Sequence, residues 1–185
     1  MKKYKDKYRI RSARAPFWNY GSIGYFITIC THNRKRYFGQ VIKAEMQLSD
    51  IGQIADEEWR KTFDMRPDMN LRMGEYVVMP DHFHAVVVIG ENQFNQCQYN
   101  GQQNPAITTG TNPTSETQVK NVFGPQSKNP ASVIRGFKIG VTRRARLIHA
   151  EFAWQSRFHD RIIRDEHAYR AISKYIVHNP KNWNE

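Results

Sequence analysis

The sequence predicts a single α+β domain with a ferredoxin-like, split β-α-β fold: an antiparallel sheet with helices on one face and a further helix at the C-terminus. Runs of β-branched and aromatic residues, such as YFITICT at 25–31, are typical of buried strands. Segments with apolar residues at helical spacing separate these runs. In order, the predicted elements are strand, helix, strand, strand, helix, strand and a terminal helix.

The composition favours a protein that binds nucleic acid. The 185 residues, 1–185, suffice for one domain and contain 28 Lys and Arg against 17 Asp and Glu, a net charge of +11. This excess predicts a polyanionic partner, and the lack of a basic helix with a wide apolar face favours nucleic acid over a membrane. The two cysteines, Cys30 and Cys97, support neither a disulfide framework nor a cysteine-based zinc site.

The sequence also indicates a cellular location and a basic N-terminal arm. The sequence contains neither a signal-peptide pattern nor a run of 18 apolar residues, so we expect a cytoplasmic, nucleoid-associated protein. Residues 1–20 contain Arg11, Arg14 and several lysines, closely followed by aromatic residues. This pattern suits a strand-free arm that binds phosphate and stacks bases, and it equally suits a solvated tail whose aromatic residues pack onto the domain.

The first half of the domain is predicted from 25 to 63. The strand at 25–31 leads into a charged loop, and a weaker strand is predicted over 41–48. Ser49 or Asp50 then caps a helix whose apolar residues recur at helical spacing as far as Phe63. The charged loop contains three candidate DNA-binding residues, which are Arg34, Lys35 and Arg36.

The run EYVVMPDHFHAVVVIG at 75–90 is the centre of the predicted chemistry. It joins two strands, 71–79 and 83–89, through a Pro-Asp pair. Residues two apart on a strand share a face, so His82 and His84 project together while Phe83 turns into the core. Two imidazoles on one face can bind a metal ion together, although two polar residues on a solvated face would give the same pattern.

Residues 91–129 predict a disordered insertion. Of these 39 residues, 14 are Asn or Gln, and no apolar periodicity is present. Two acidic and two basic residues cancel within it, so the whole net charge of +11 lies on the rest of the chain.

A helix is predicted over 131–150, with an apolar stripe that includes Phe137 and Ile148. Its other sides bear five cations with no acidic residue before Glu151, which favours phosphate binding over a merely solvated face. These cations are Arg135, Lys138, Arg143, Arg144 and Arg146.

The C-terminal region predicts the last strand and the terminal helix. An alternating FHDRII pattern within 152–163 predicts the last strand of the sheet. Asp165 then caps a helix that begins at Glu166, runs toward His178 and ends before Asn179-Pro180.

Two tyrosines on this helix are candidates for different roles. Tyr169 falls on one stripe with the apolar residues Ile172 and Ile176, so we predict that it is a core residue. Tyr175 and Asn179 are four residues apart on a neighbouring stripe, so a phenol and an amide oxygen face the same space.

Three runs carry a family resemblance, namely YFITICTHNRKRYFG, YVVMPDHFHAVVVIG and WQSRFHDRIIRDEHAYRAISKYIVHNP. In this order they resemble the single-tyrosine HUH transposases of the insertion-sequence type, and most closely the REP-associated tyrosine transposase branch. The resemblance implies that His82 and His84 bind a metal ion and that Tyr175 is the nucleophile. It also implies Asn179 as the third ligand, where insertion-sequence members more often have glutamine. Arg161 stands where related sequences often have histidine.

The resemblance also implies an activity. A member of this family is a metal-dependent enzyme, with Mg²⁺ or Mn²⁺ as cofactor, that cleaves and rejoins single-stranded or hairpin DNA through a 5′-phosphotyrosine. It acts as a monomer or a homodimer, and no membrane is involved.

Two alternatives from other classes stay open at this point. A zinc-dependent hydrolase would add a third histidine to the His-x-His pair and would not need Tyr175. A domesticated, non-catalytic nucleic-acid-binding protein would keep the fold and the charge without cleavage. The histidines available to the hydrolase are His32, His149, His159, His167 and His178.

Overall fold

A computed structural model describes residues 3–4, 7–8, 22–92 and 129–183. Its strands are β1 (Lys3–Tyr4), β2 (Lys7–Tyr8), β3 (Ser22–Cys30), β4 (Gly39–Ile42), β5 (Glu45–Leu48), β6 (Leu71–Met79), β7 (His82–Gly90) and β8 (His159–Ile163). Its helices are α1 (Asp50–Asp64), α2 (Pro130–Ala145) and α3 (Glu166–His178). Short 3₁₀ turns occur at His32–Arg34, Pro67–Met69 and Pro180–Asn182.

The main sheet has four strands in the order β6-β7-β3-β8, and every neighbouring pair is antiparallel. The first strand of the sheet along the chain, β3, is therefore central and is flanked by β7 and β8. Together with the helices that follow β3 and β7, this order is that of a ferredoxin-like domain. The predicted α+β fold is confirmed.

Helices α1 and α2 cover one face of the sheet. Trp59 of α1 is fully buried there, with its ring 5.1 Å from that of Phe83 on β7 and 5.3 Å from that of Phe137 on α2. The rings of Phe83 and Phe137 are themselves 5.0 Å apart. This aromatic cluster joins both helices to the strand that carries the histidine pair.

The C-terminal helix α3 packs on the opposite face of the sheet. Ile176 is fully buried against Val86 and Ile163, and Tyr169 and Ile172 pack onto this smaller cluster. The apolar stripe of α3, including the assignment of Tyr169 to the core, is therefore confirmed.

The predicted N-caps of α1 and α3 are confirmed. Ser49 Oγ accepts a hydrogen bond from the Gly52 N–H at 3.1 Å, and Asp165 Oδ1 accepts one from the Ala168 N–H at 2.7 Å. Each bond satisfies a backbone donor that the first helical turn leaves without an intrahelical partner.

Two elements differ from the predictions. The single strand expected over 41–48 is a hairpin of β4 and β5, because Lys43 and Ala44 adopt left-handed φ values of 51° and 65° and reverse the chain. The helix expected to reach 150 ends at Ala145, and Ile148, placed on the buried stripe, is 55% exposed. The chain leaves the helical path after Ala145, and the side chain of Phe152 is buried in place of that of Ile148. The Arg146 Nε–H donates to the carbonyl of Phe152.

Two predicted segments lie largely outside the described residues. The N-terminal arm is described only at its two short strands, which pair with each other, so it is not strand-free. Arg11 and Arg14 fall outside the described part. Of the predicted insertion, residues 93–128 fall outside it, while Asn92 donates to the carbonyl of Met69 and Asn129 caps α2.

Among the described residues, every helix is too short to cross a lipid bilayer.

Replacing Trp59 with alanine should lower the free energy of unfolding by about 3–5 kcal/mol, because it removes a fully buried ring and leaves a cavity between α1, α2 and the sheet. Urea denaturation followed by circular dichroism measures this loss. Met65, at the end of the same helix, is 52% exposed, so Met65→Ala is the matched control and should change stability by less than about 0.5 kcal/mol. A loss below about 1 kcal/mol for Trp59→Ala would contradict the central role of the aromatic cluster.

Candidate active site

The two histidines of the His-x-His run share one face at the start of β7. His82 pairs with Cys30 and His84 with Thr28 across the β3–β7 ladder, and their ring centroids are 4.5 Å apart. Each histidine is only 6% exposed, so the solvated-face interpretation of the pair is wrong. Phe83, between them, points into the opposite core, as strand alternation predicts.

Asp81 holds the ring of His82. The His82 Nδ1 lies 2.6 Å from Asp81 Oδ1, and Arg34 Nε lies 2.9 Å from the other carboxylate oxygen. Because the carboxylate can only accept, Nδ1 carries the proton and Nε2 keeps its lone pair. Carboxylate support of this kind orients histidines in metal sites.

Thr28 and Tyr175 contact the two nitrogens of His84. Thr28 Oγ1 lies 2.8 Å from Nδ1, and the Tyr175 hydroxyl lies 3.4 Å from Nε2. Burial disfavours the imidazolium and lowers the pKa of His84 to about 3. Burial also lowers the pKa of His82, partly offset by its bond to Asp81. Both rings are therefore neutral Lewis bases at pH 7.

Helix α3 places one polar group over each imidazole. Tyr175 is 49% exposed, with its ring 5.4 Å from that of His84. Asn179, one turn later at the C-cap, is 8% exposed, and its side chain interacts with that of His82. The structure thus brings together all four residues that the sequence placed in the site.

The donor set fits a divalent cation. Each imidazole has its Nδ1 engaged by a neighbouring side chain, which leaves both Nε2 atoms as the nitrogens for a ligand, and Asn179 lies next to His82. Such a set of nitrogen and oxygen donors suits Mn²⁺ and related ions. Within the described ranges no three His, Cys, Asp or Glu side chains converge, so none of the other histidines completes a three-histidine zinc site.

The cations of the loop after β3 lie next to this site. Arg34 binds Asp81, and the Arg36 guanidinium lies 5.8 Å from the ring centroid of Trp183, whose ring is in turn 5.8 Å from that of His82. Lys35 lies 3.7 Å from the carboxylate of Glu151 on the exposed surface.

The cations of α2 lie on the other side of the sheet, because α2 packs against Phe83 and the histidines face away from it. Lys138 Nζ donates to the carbonyls of Gln155 and Arg157, and Arg144 pairs with Glu57 and Glu58. The Arg146 Nε–H donates to a backbone carbonyl, so Lys138, Arg144 and Arg146 all bind protein groups. Arg135 and Arg143 border an apolar cleft beside Trp154.

Three residues of the site were not among the sequence predictions, namely Thr28, Asp81 and Trp183. Asp81 directly precedes the His-x-His run, so its position alone was a usable signal for a carboxylate partner. Thr28 is found only through the β3–β7 register, and Trp183 only through the fold of the chain after α3.

Comparison with known proteins identifies a relative by sequence and a solved structure with the same fold. No protein-family model matches the sequence. An uncharacterized protein of Haemophilus influenzae Rd is 35% identical over 181 residues, which is 95% of this chain and 90% of that protein. The structure of a REP-associated tyrosine transposase bound to a REP hairpin superposes with a TM-score of 0.56 at 19% identity, over 94% of this chain and 74% of that one.

A second solved structure, that of a candidate transposase from Deinococcus radiodurans R1, covers 91% of this chain and 96% of its own at 15% identity. Its TM-score of 0.38 is too low to support a shared fold. The fold argument therefore rests on the first structure.

Stability should fall as the pH drops below about 6.5. The unfolded chain takes up a proton on His84 near its ordinary pKa, whereas the folded protein resists protonation down to a pKa of about 3. Between these values the unfolded state binds more protons, so this residue alone adds a slope of up to about 1.4 kcal/mol per pH unit. Urea denaturation at pH 7.0, 6.0 and 5.0, in chelator, should show a shallower slope for His84→Gln than for the natural sequence. Equal slopes would contradict this account of the buried imidazole.

Proposed function

We propose that this chain, which belongs to the same family as the Haemophilus influenzae protein, is a metal-dependent single-stranded DNA transposase or endonuclease that works through a 5′-phosphotyrosine. One observation carries the proposal: the half-exposed Tyr175 hydroxyl lies 3.4 Å from Nε2 of the buried His84, beside His82 and Asn179. An exposed phenol over two neutral imidazoles is poorly explained by packing, since the partly buried Tyr169 already packs on the core side of the same helix.

The shared fold supports the substrate class. The fold neighbour is a REP-associated tyrosine transposase bound to a REP hairpin, and the net charge of +11 suits a DNA partner. Hairpin-forming single strands are therefore the proposed substrates.

Tyr175 is the proposed nucleophile. Its oxygen attacks the phosphorus of a DNA phosphodiester, the Tyr175 O–P bond forms, and the bond from phosphorus to the 3′ oxygen breaks. The phenolic proton passes to solvent, which reaches the half-exposed Tyr175, and the departing 3′ oxygen takes one up from solvent. The 5′-phosphate stays on the protein, so a second 3′-OH can reverse the step and rejoin strands without ATP.

His82, His84 and Asn179 are the residues that would hold a divalent ion, Mg²⁺ or Mn²⁺, and the two imidazoles favour the softer Mn²⁺. When bound, such an ion supplies Lewis-acid stabilisation of the charge that develops on phosphate oxygens. The role of Asp81 is to fix the His82 ring with Nε2 unprotonated, and that of Thr28 is to orient the His84 ring.

The loop of Arg34, Lys35 and Arg36 is the proposed grip on the DNA backbone near the reacting phosphate. Arg34 and Lys35 are about half exposed, so both can reach a phosphate while the Arg34 guanidinium remains bound to Asp81. The α2 cations would contact DNA only where it passes around the sheet.

Cleavage tests the nucleophile. The protein, incubated with Mn²⁺ and single-stranded hairpin DNA from the region flanking its gene, should give a protein–DNA adduct that carries the 3′ label and not the 5′ label. Tyr175→Phe should abolish the adduct because it removes the attacking oxygen. Tyr169→Phe, on the same helix but packed in the core, is the matched control and should retain the adduct. Denaturing gels separate the species.

Two outcomes would overturn this function in different directions. Cleavage without an adduct, unchanged in Tyr175→Phe, would favour a metal-dependent hydrolase. Binding of hairpin DNA without any cleavage would favour a domesticated DNA-binding protein.

Metal binding tests the ligand set separately from activity. Isothermal titration with Mn²⁺ should show one site that His82→Ala abolishes. Asp81→Asn should weaken binding by about 10- to 100-fold, because it removes the carboxylate that fixes the His82 ring. His32→Ala, which changes an exposed histidine, should bind as the natural sequence does. Unchanged Mn²⁺ binding in His82→Ala would contradict the site.

A further inference from the structure

A cleft of about 390 Å³ opens beside the nucleophile, between β3, β8 and α3. Tyr175 forms one wall, Ala171 and Ile172 of the same helix continue it, and Phe26 of β3 borders it from the sheet. None of the ligand residues lines this cleft, so it is a separate space next to the His-Tyr site.

The aromatic wall of the cleft is held in place by the reactive residues. The Phe26 ring stacks on that of His84, with centroids 5.3 Å apart and planes at 27°, and it meets the Tyr175 ring edge-on at 6.1 Å. A flat ring that enters the cleft can therefore lie against an aromatic side chain whose position is tied to the nucleophile.

The polar rim comes from the edge strand β8. His159 pairs with Thr28 and Arg161 with Phe26 in the β3–β8 ladder, and directly paired residues share a face of the sheet. His159 and Arg161 are both exposed and both border the cleft. Asp160 borders the cleft as well, although strand alternation directs its side chain to the other face. The largely apolar wall of Phe26, Ala171 and Ile172 therefore suits a base better than a second phosphate.

We infer that this cleft is a nucleobase subsite. It holds the base of the nucleotide that keeps the 5′-phosphate, stacked against Phe26 with its edge facing Arg161. This inference rests on the proposed function and adds to it the nucleotide whose base the protein contacts. Because a guanidinium only donates hydrogen bonds, the base edge that faces Arg161 must offer acceptors.

The direction of the strand follows from in-line displacement. The 3′ oxygen leaves on the side of the phosphorus opposite to the Tyr175 oxygen, so the leaving nucleotide is directed away from the cleft that Tyr175 borders. The retained nucleotide, joined to Tyr175 after cleavage, is the one that remains beside it. The occupant of the cleft is therefore the first nucleotide 3′ of the scissile phosphate.

Fluorescence of bound DNA tests the subsite without cleavage. Tyr175→Phe protein is titrated with hairpin DNAs that carry one 2-aminopurine at successive positions, and one position should be strongly quenched on binding because it stacks on Phe26. Phe26→Leu in the same background should remove that quenching. Arg161→Ala should weaken it, while Arg170→Ala, an exposed arginine on the outer side of α3 that pairs with Glu166, should leave it unchanged.

Cleavage rates locate the same base relative to the reaction. An abasic site immediately 3′ of the cleaved bond should slow adduct formation about 10-fold in the natural sequence and less than about 2-fold in Phe26→Leu. No quenched position, or quenching that survives Phe26→Leu, would overturn the subsite even if the adduct forms. Quenching that depends on Phe26 without any adduct would retain the subsite and overturn the proposed transposase activity.

Discussion

The pairing of β3 with β7 is the constraint on which the candidate site depends. It sets Thr28 opposite His84 and Cys30 opposite His82, and strand alternation sends Phe83 to the other face. Burying two imidazoles in a sheet is unfavourable unless their nitrogens have partners, and this register supplies Thr28 to one ring while the turn before β7 supplies Asp81 to the other. A shift of the β3–β7 register by one residue would place Phe83 under α3 and turn both histidines into the core formed around Trp59.

Helix α3 divides structural and chemical roles between two stripes. Ile172 and Ile176 hold the helix on the sheet, so the neighbouring stripe brings Tyr175 over His84 and Asn179 over His82. The helix ends at His178, where Asn179 acts as C-cap and the following turn directs Trp183 onto the His82 ring. Because Tyr175 lies on a helix and the histidines lie on a central strand, their separation is insensitive to movements of the surface loops.

Positive charge is distributed unevenly around this site. The cations after β3 lie beside the histidines, whereas those of α2 lie beyond the sheet and largely bind carboxylates and carbonyls of the protein itself. An arginine-rich helix is thus partly a structural feature, in which Arg144 joins α2 to α1 through Glu57 and Glu58. The sequence alone does not distinguish cations that pair with carboxylates of the protein from cations that can bind DNA, since Glu58, the partner of Arg144, is 86 residues away along the chain.

The sequence by itself predicted the α+β class, the order of the main elements, a cap at Ser49 or Asp50 and a cap at Asp165, because these follow from local periodicity and short spacings. The two histidines, the tyrosine and the asparagine of the candidate site were proposed from their spacings together with the family resemblance. Tertiary structure decided what depends on residues distant along the chain. The register selected Thr28, the β3 loop brought Arg34 to Asp81, and the packing of Phe137 against Phe83 set the cations of α2 on the face opposite the histidines. The end of α2 at Ala145 was likewise decided by the burial of Phe152, a competition between packing and helix propensity that no local pattern expresses.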